Sequence, residues 1–137
     1  GSSRESVIGR ALRQAAAGGP IALQSLTPVR DFIAVQDAAE ALLRLAQVSP
    51  AAGTCEAVNV STAEGTSVRS MAEELAQAAR VAISEPSGAA EDDIPALVLD
   101  NTRLQALTGW TPSVSLAQGL RQALAAFAQP AASGAAA

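Results

Sequence analysis

The sequence predicts an α/β fold. Three observations carry the prediction. Short runs of strand-forming residues alternate with amphipathic stretches of helical spacing along most of the chain. The helical stretches open at residues able to cap them: Asp37 with Glu40, Ser67, Asp100, and Ser115 with Gln118. In the middle, VRDFIAVQDAAEALLRL carries a strand straight into a helix, which implies a parallel crossover for at least this central pair.

The elements follow in order. A helix is expected over residues 5–17, with Ile8, Ala11, Leu12 and Ala15 as its apolar stripe and Gly18-Gly19-Pro20 as its end. Residues 21–26 suit a short strand, and Thr27-Pro28 turns the chain. Phe32, Ile33 and Val35 belong to the central strand, a mostly apolar run with no room for a polar face. Asp37 is expected to stop that strand and cap a helix whose face is Ala38, Ala41, Leu42, Leu45 and Ala46. After a loop at Ser49-Pro50 and Gly53, CEAVNV (55–60) is the next strand. Ser67 caps a helix through residue 79, with Val68, Met71, Ala72, Leu75, Ala76 and Ala79 on one side. Short strands follow at 81–84 and 96–99, separated by a loop over 86–93. Asp100 caps a short helix that Gly109 closes, and Ser115 opens a last helix faced by Leu116, Leu120, Ala123, Leu124 and Phe127.

Composition narrows the chemistry. The chain has 137 residues, enough for one domain with a modest core, and its hydrophobic fraction of 49% is largely alanine. A net charge of −4 argues against a nucleic-acid surface. Every basic residue is Arg; Lys, His and Tyr are missing, and with them most general acids and bases and all imidazole metal ligands. A single cysteine, Cys55, makes no internal disulfide and suits a reducing cytoplasm. No apolar run is long enough to span a bilayer. Residues 1–3 are expected to be a tag scar, 4–128 one domain, and 129–137 a flexible Ala/Ser/Gly tail.

Three stretches, VRDFIAVQDAAEALLRL, VNVSTAEGTSVRSMAEELA and DDIPALVLDNTRLQALTGWTPSVSLAQGL, together resemble the C-terminal part of the NAD-dependent epimerase/dehydratase family, the extended short-chain dehydrogenases. Their order and spacing agree with the family, and VIGRALRQAAAGGPI fits the helix and strand it places before them. The short loop SLTPVRDF and the ending DIPALVLDNTRLQALTGW look most like sugar-nucleotide reductases of the GDP-deoxyhexose type. The family's Gly-rich dinucleotide loop and its Tyr-x-x-x-Lys pair are both missing from this sequence. The resemblance therefore implies a substrate-binding lobe plus the last strand and helices of a Rossmann-type parallel sheet, incomplete without an N-terminal half. It implies no cofactor in this chain and NAD or NADP in the parent enzyme, an epimerase, dehydratase or reductase. The expected partners are a nucleotide sugar, the missing Rossmann half, and a second copy in a homo-oligomer. Two other readings stand beside it: a non-catalytic interaction module that self-associates or pairs with a missing half, and a degenerate relative that binds ligand without turnover.

Arg30, at the mouth of the central strand, is read from the residues either as a structural ion pair with Asp31 or a helix end, or as an anion hook. The resemblance implies the second, on the diphosphate of a nucleotide sugar. It places Ala22 and Gln24 on a strand beside the nucleotide base, where the residues alone read as surface positions of a half-buried strand. Val68 matches a position lining the nucleotide pocket and is equally the first core residue of its helix. Asp93 matches an acid on the ribose hydroxyls. Where the family has a second phosphate-binding arginine, three or four residues earlier, this chain has Ala89 and Ala90. Glu91-Asp92-Asp93 lacks calcium-loop spacing and reads as a solvated loop rather than a metal site. Cys55 is expected in the core as a small apolar residue, and Trp110 is expected to close the core.

Overall fold

Ser6 opens the first helix: its Oγ accepts from the Gly9 N–H at 3.1 Å, and α1 spans Val7–Ala16. The computed structural model describes residues 5–88 and 94–129. Ala11, Leu12 and Ala15 are the buried face of α1, as its stripe predicts. The strands are shorter than the apolar runs that announce them. β1 is Ile21–Ala22, paired in parallel with β4 (Ile83–Ser84), Ile21 opposite Ile83. β2 (Val29–Arg30) is the middle strand of a second sheet, antiparallel to β3 (Thr66–Ser67) and parallel to β5 (Ala96–Leu97). The mixed α/β class is as expected.

Residues 31–34 follow β2 outside either sheet, and α2 spans Val35–Ala46 with Ala34 at its N-cap. Asp37 does not cap it. Asp37 lies inside the first turn at 1% exposure, and its carboxylate accepts from the Ser113 N–H, the Ser113 hydroxyl (2.9 Å) and the Val114 N–H (2.9 Å). The reason is one of competition for an acceptor. Helix-start amides can face water, whereas the amides of the 113–114 turn meet Asp37 where it is buried. Glu40, expected to complete the cap, instead accepts from Arg44 one turn on, at 2.7 Å.

The two serine caps form where the sequence places them, whereas Asp100, expected to cap the short helix that Gly109 closes, stands one residue before its N-cap. Ser67 Oγ accepts from the Ser70 N–H at 3.0 Å and starts α3 (Val68–Ala79). Ser115 Oγ accepts from the Gln118 N–H at 3.2 Å and starts α5 (Leu116–Ala128). Asp100 Oδ1 accepts from the Thr102 N–H at 2.7 Å, ahead of α4 (Thr102–Thr108), with Asn101 at the N-cap position itself. Gly109 ends α4 at φ 66°, a left-handed conformation that glycine adopts without a Cβ penalty.

Two apolar clusters hold the elements. In the larger, α1, α3 and α5 converge on β1, with Leu12, Ile21, Met71, Leu75 and Leu120 buried together. In the smaller, Ala41 of α2, Leu104 of α4 and Trp110 are fully buried, with Ile33, Leu45, Val58 and Val60 packed around them. Trp110 closes this core as expected, and among the described residues its Nε1 has no hydrogen-bond partner.

CEAVNV departs from expectation. Residues 55–60 join neither sheet, and Cys55 is exposed rather than in the core. A run apolar on both faces becomes a strand only when strands flank it. Here just Val58 and Val60 find apolar neighbours. The segment is held instead by side chains: the Glu56–Arg103 ion pair, and Asn59 Nδ2 donating to the Asp100 carbonyl at 3.2 Å. The outer face of α2 is likewise apolar and open, with Val35 76%, Leu42 60% and Leu43 68% exposed. Among the described residues no helix is long and apolar enough to cross a membrane.

Candidate functional site

β2 carries the site because three pieces of chain meet on it. Arg30 lies opposite Thr66 of β3 on one side and Leu97 of β5 on the other. The half-buried Arg30 uses Nη1 to donate to the Val29 carbonyl and to the Ile94 carbonyl, both at 2.8 Å. The guanidinium is thereby pinned where the chain enters β5. Its neighbour Asp31 works in a different direction. Its carboxylate accepts from the Thr62 N–H (3.0 Å), the Thr62 hydroxyl (2.5 Å) and the Ala63 N–H (2.9 Å), which fixes a turn where Ala63 has φ 62°.

Val68 sits one residue past the β2–β3 pairing. Ser67 lies opposite Val29, and the Val68 N–H donates to the Pro28 carbonyl at 2.8 Å. Its side chain, 3% exposed, belongs to the larger apolar cluster. The structure thus brings Val68 beside β2 at backbone level while burying its side chain as helix core. The next residue, Arg69, holds Glu85 through two parallel bonds, Nη1 to Oε1 at 2.7 Å and Nη2 to Oε2 at 2.8 Å. This fork keeps the Glu85 carboxyl below its ordinary range.

Ala22 and Gln24 belong to the other sheet and its continuation. Ile21 and Leu23 point into the core; Ala22 and Gln24 alternate with them and are exposed. The backbone edge of Ala22 is engaged by a residue that sequence reading passes over. Gln14 Oε1 accepts from the Ala22 N–H at 2.9 Å, and Gln14 Nε2 donates to the Ala22 carbonyl at 3.1 Å. No local pattern marks Gln14, since its partner is eight residues away across the Gly18-Gly19-Pro20 turn. Asp93, with Ala89, Ala90 and the other two acids, lies outside the described residues. Among the described residues no cluster of His, Cys, Asp or Glu could hold a metal ion.

The sequence also gives no warning of an apolar groove of about 290 Å³ between α1, residues 32–36 and α5. Leu12, Phe32, Val35, Leu116, Leu120 and Ala123 are among its walls. Nothing in it is chemically reactive.

The start of α2 is poorly suited to a dinucleotide. The strand-to-helix passage from β2 to α2 is Asp31-Phe32-Ile33-Ala34, without glycine, and a carboxylate, Asp37, occupies the first turn of α2. Both features disfavour a pyrophosphate at that helix start.

The model of the NAD dependent epimerase/dehydratase family matches residues 1–61. A UDP-glucose 4-epimerase of Rhizobium leguminosarum bv. trifolii is 32% identical over 98 residues, 71% of this chain and 30% of that protein. The structure of RMD from Pseudomonas aeruginosa, complexed with NADPH, superposes with a TM-score of 0.75 at 29% identity, covering 93% of this chain and 44% of that one. The UDP-glucose 4-epimerase of Thermus thermophilus, in complex with NAD, gives a TM-score of 0.70 at 28% identity, covering 88% of this chain and 39% of that one. The chain spans less than half the length of each of these relatives.

Proposed function

Because the chain belongs to the NAD-dependent epimerase/dehydratase family, we propose that it is the sugar-nucleotide-binding C-terminal part of a cytoplasmic NAD(P)-dependent epimerase, dehydratase or reductase. The observation that carries the reading is the placement of Arg30 on the middle strand of the β3-β2-β5 sheet. There it is flanked by the N-terminus of α3 and by the chain entering β5. A guanidinium fixed through Nη1 to the Val29 and Ile94 carbonyls, on a strand held from both sides, puts a permanent positive charge at a set place, which suits a diphosphate. Val68 and Asp93 would line the same nucleotide, and Ala22 with Gln24 would meet its base. A related N-terminal half would supply the dinucleotide and the acid–base residues. By itself this chain, without Tyr, Lys or a Gly-rich loop, would bind but not turn over.

Calorimetry with UDP and GDP on the 137-residue chain tests this. Arg30→Ala should weaken the tighter ligand by about tenfold or more, the worth of one or two hydrogen bonds to a charged group. Arg30→Lys should recover only part, since a point charge does not reproduce the guanidinium. Equal affinity for wild type and Arg30→Ala, with circular dichroism unchanged, would overturn the assignment. The apolar outer face of α2 favours a second reading, an interaction module that pairs with a Rossmann half or a second copy of itself.

A further inference from the structure

β1 has one satisfied edge and one that a side chain satisfies. The Ile21 N–H donates to the Ala82 carbonyl at 2.9 Å, so in this parallel pairing Ile21 faces β4 and Ala22 turns its N–H and C=O the other way. On that open side no third strand joins the sheet among the described residues. The Gln14 carboxamide takes the place instead, accepting from the Ala22 N–H and donating to the Ala22 carbonyl. A primary amide offers its C=O and the N–H beside it side by side. The lactam edge of uracil, with an N–H next to a C=O, offers the same pair in the same order. Cytosine has the same shape with donor and acceptor exchanged.

We propose that Gln14 is a built-in stand-in for a nucleobase, filling the recognition edge of Ala22 when no nucleotide is bound and yielding it to a lactam-bearing base. The inference rests on the nucleotide-sugar reading. Entering in the same orientation as uracil, cytosine meets Ala22 with its donor and acceptor in the wrong order, so the edge discriminates between the two bases. Both Gln14 hydrogen bonds lie at the exposed surface, where the side chain can swing away without disturbing the core.

The test is calorimetric titration of UDP and CDP into the 137-residue chain as wild type, Gln14→Ala and Gln14→Met. Methionine keeps the length of the side chain and removes both polar groups, should alanine disturb α1. Removing the competing pair of neutral hydrogen bonds should tighten UDP by about tenfold and leave CDP unchanged. If Gln14 only ties α1 to β1, both variants will melt lower with no gain in affinity, and the proposal falls while the nucleotide-sugar reading stands. An equal gain for CDP overturns the lactam match. If no variant binds either nucleotide, the proposal and the reading it rests on fall together. Arg30→Ala in the Gln14→Ala background separates these cases, because it should cost UDP affinity whenever the diphosphate assignment holds.

Discussion

Replacing Asp37 by Asn should cost stability far out of proportion to the small change in volume. The carboxylate accepts two backbone amides and a hydroxyl from Ser113 and Val114, at 1% exposure. An Asn side chain keeps one acceptor oxygen and turns an NH2 toward the remaining donors. One buried N–H is then left unpaired, and the charge assistance of the others is lost. Together these are worth about 2–3 kcal/mol. At about 4 °C per kcal/mol for a domain of this size, the midpoint should fall by roughly 10 °C. The pH dependence gives the sharper test. Burial alone pushes the Asp37 carboxyl up, but the bonds from the Val114 and Ser113 amides and the Ser113 hydroxyl outweigh it, and the group lies below its ordinary range. A folded-state pKa below the unfolded one means stability that is present above the unfolded value, about 3.9, and lost as pH falls through the folded value. The gap between wild type and Asp37→Asn should therefore be complete at about pH 7 and close progressively below about pH 4. Thermal melts of both proteins across that range measure it. No gap at neutral pH, or a gap that does not shrink in acid, would refute the reasoning.

Two further outcomes follow from packing. Gly65→Ala should destabilise by about 1–3 kcal/mol by overpacking, because a Cβ there would come within 2.8 Å of Val29 Cγ1 and 2.9 Å of Val98 Cγ2. A urea titration with an unchanged midpoint would count against it. The double change Leu42→Glu, Leu43→Glu on the open face of α2 should leave the fold intact and reduce self-association, since both side chains are more than half exposed, at 60% and 68%. Sedimentation of the two proteins over a range of concentrations would show it; identical profiles would mean the α2 face is not what associates.

What the sequence made legible and what it hid divide along the reach of each interaction. Ser67, Ser115 and Gly109 act on amides or dihedrals within a few residues, so their roles are written locally and the structure repeats them. Asp37 has the same local signature as a cap, but its partners lie 76 and 77 residues away and no window of sequence contains both ends. Gln14 is hidden for the same reason at shorter range. Arg30 is conspicuous as a charge at a strand mouth, yet its hold on the Ile94 carbonyl spans 64 residues and depends on β2 and β5 lying in register.

The strands are the harder case, and they bear on function. A helix closes its own hydrogen bonds; a strand is completed only by its neighbours. CEAVNV has the composition of a strand buried between others, and in this chain it lies beside neither sheet. Val35, Leu42 and Leu43 show the same mismatch on α2, an apolar surface with solvent over it. Val58 and Val60 of CEAVNV pack on the smaller cluster around Trp110, to which α2 gives Ala41 and Leu45, whereas Val35 lies at the groove between α1 and α5. The relatives are more than twice as long as this chain. If their additional length covers the α2 side, the α1–α3–α5 side is the part that folds on its own contacts and the α2–CEAVNV side is the part that waits for a partner. A ligand-binding defect and an association defect should then map to different residues. Arg30→Ala should change affinity without changing association, and the Leu42, Leu43 pair should do the reverse. Variants that moved both properties together would show that the two sides form one cooperative surface.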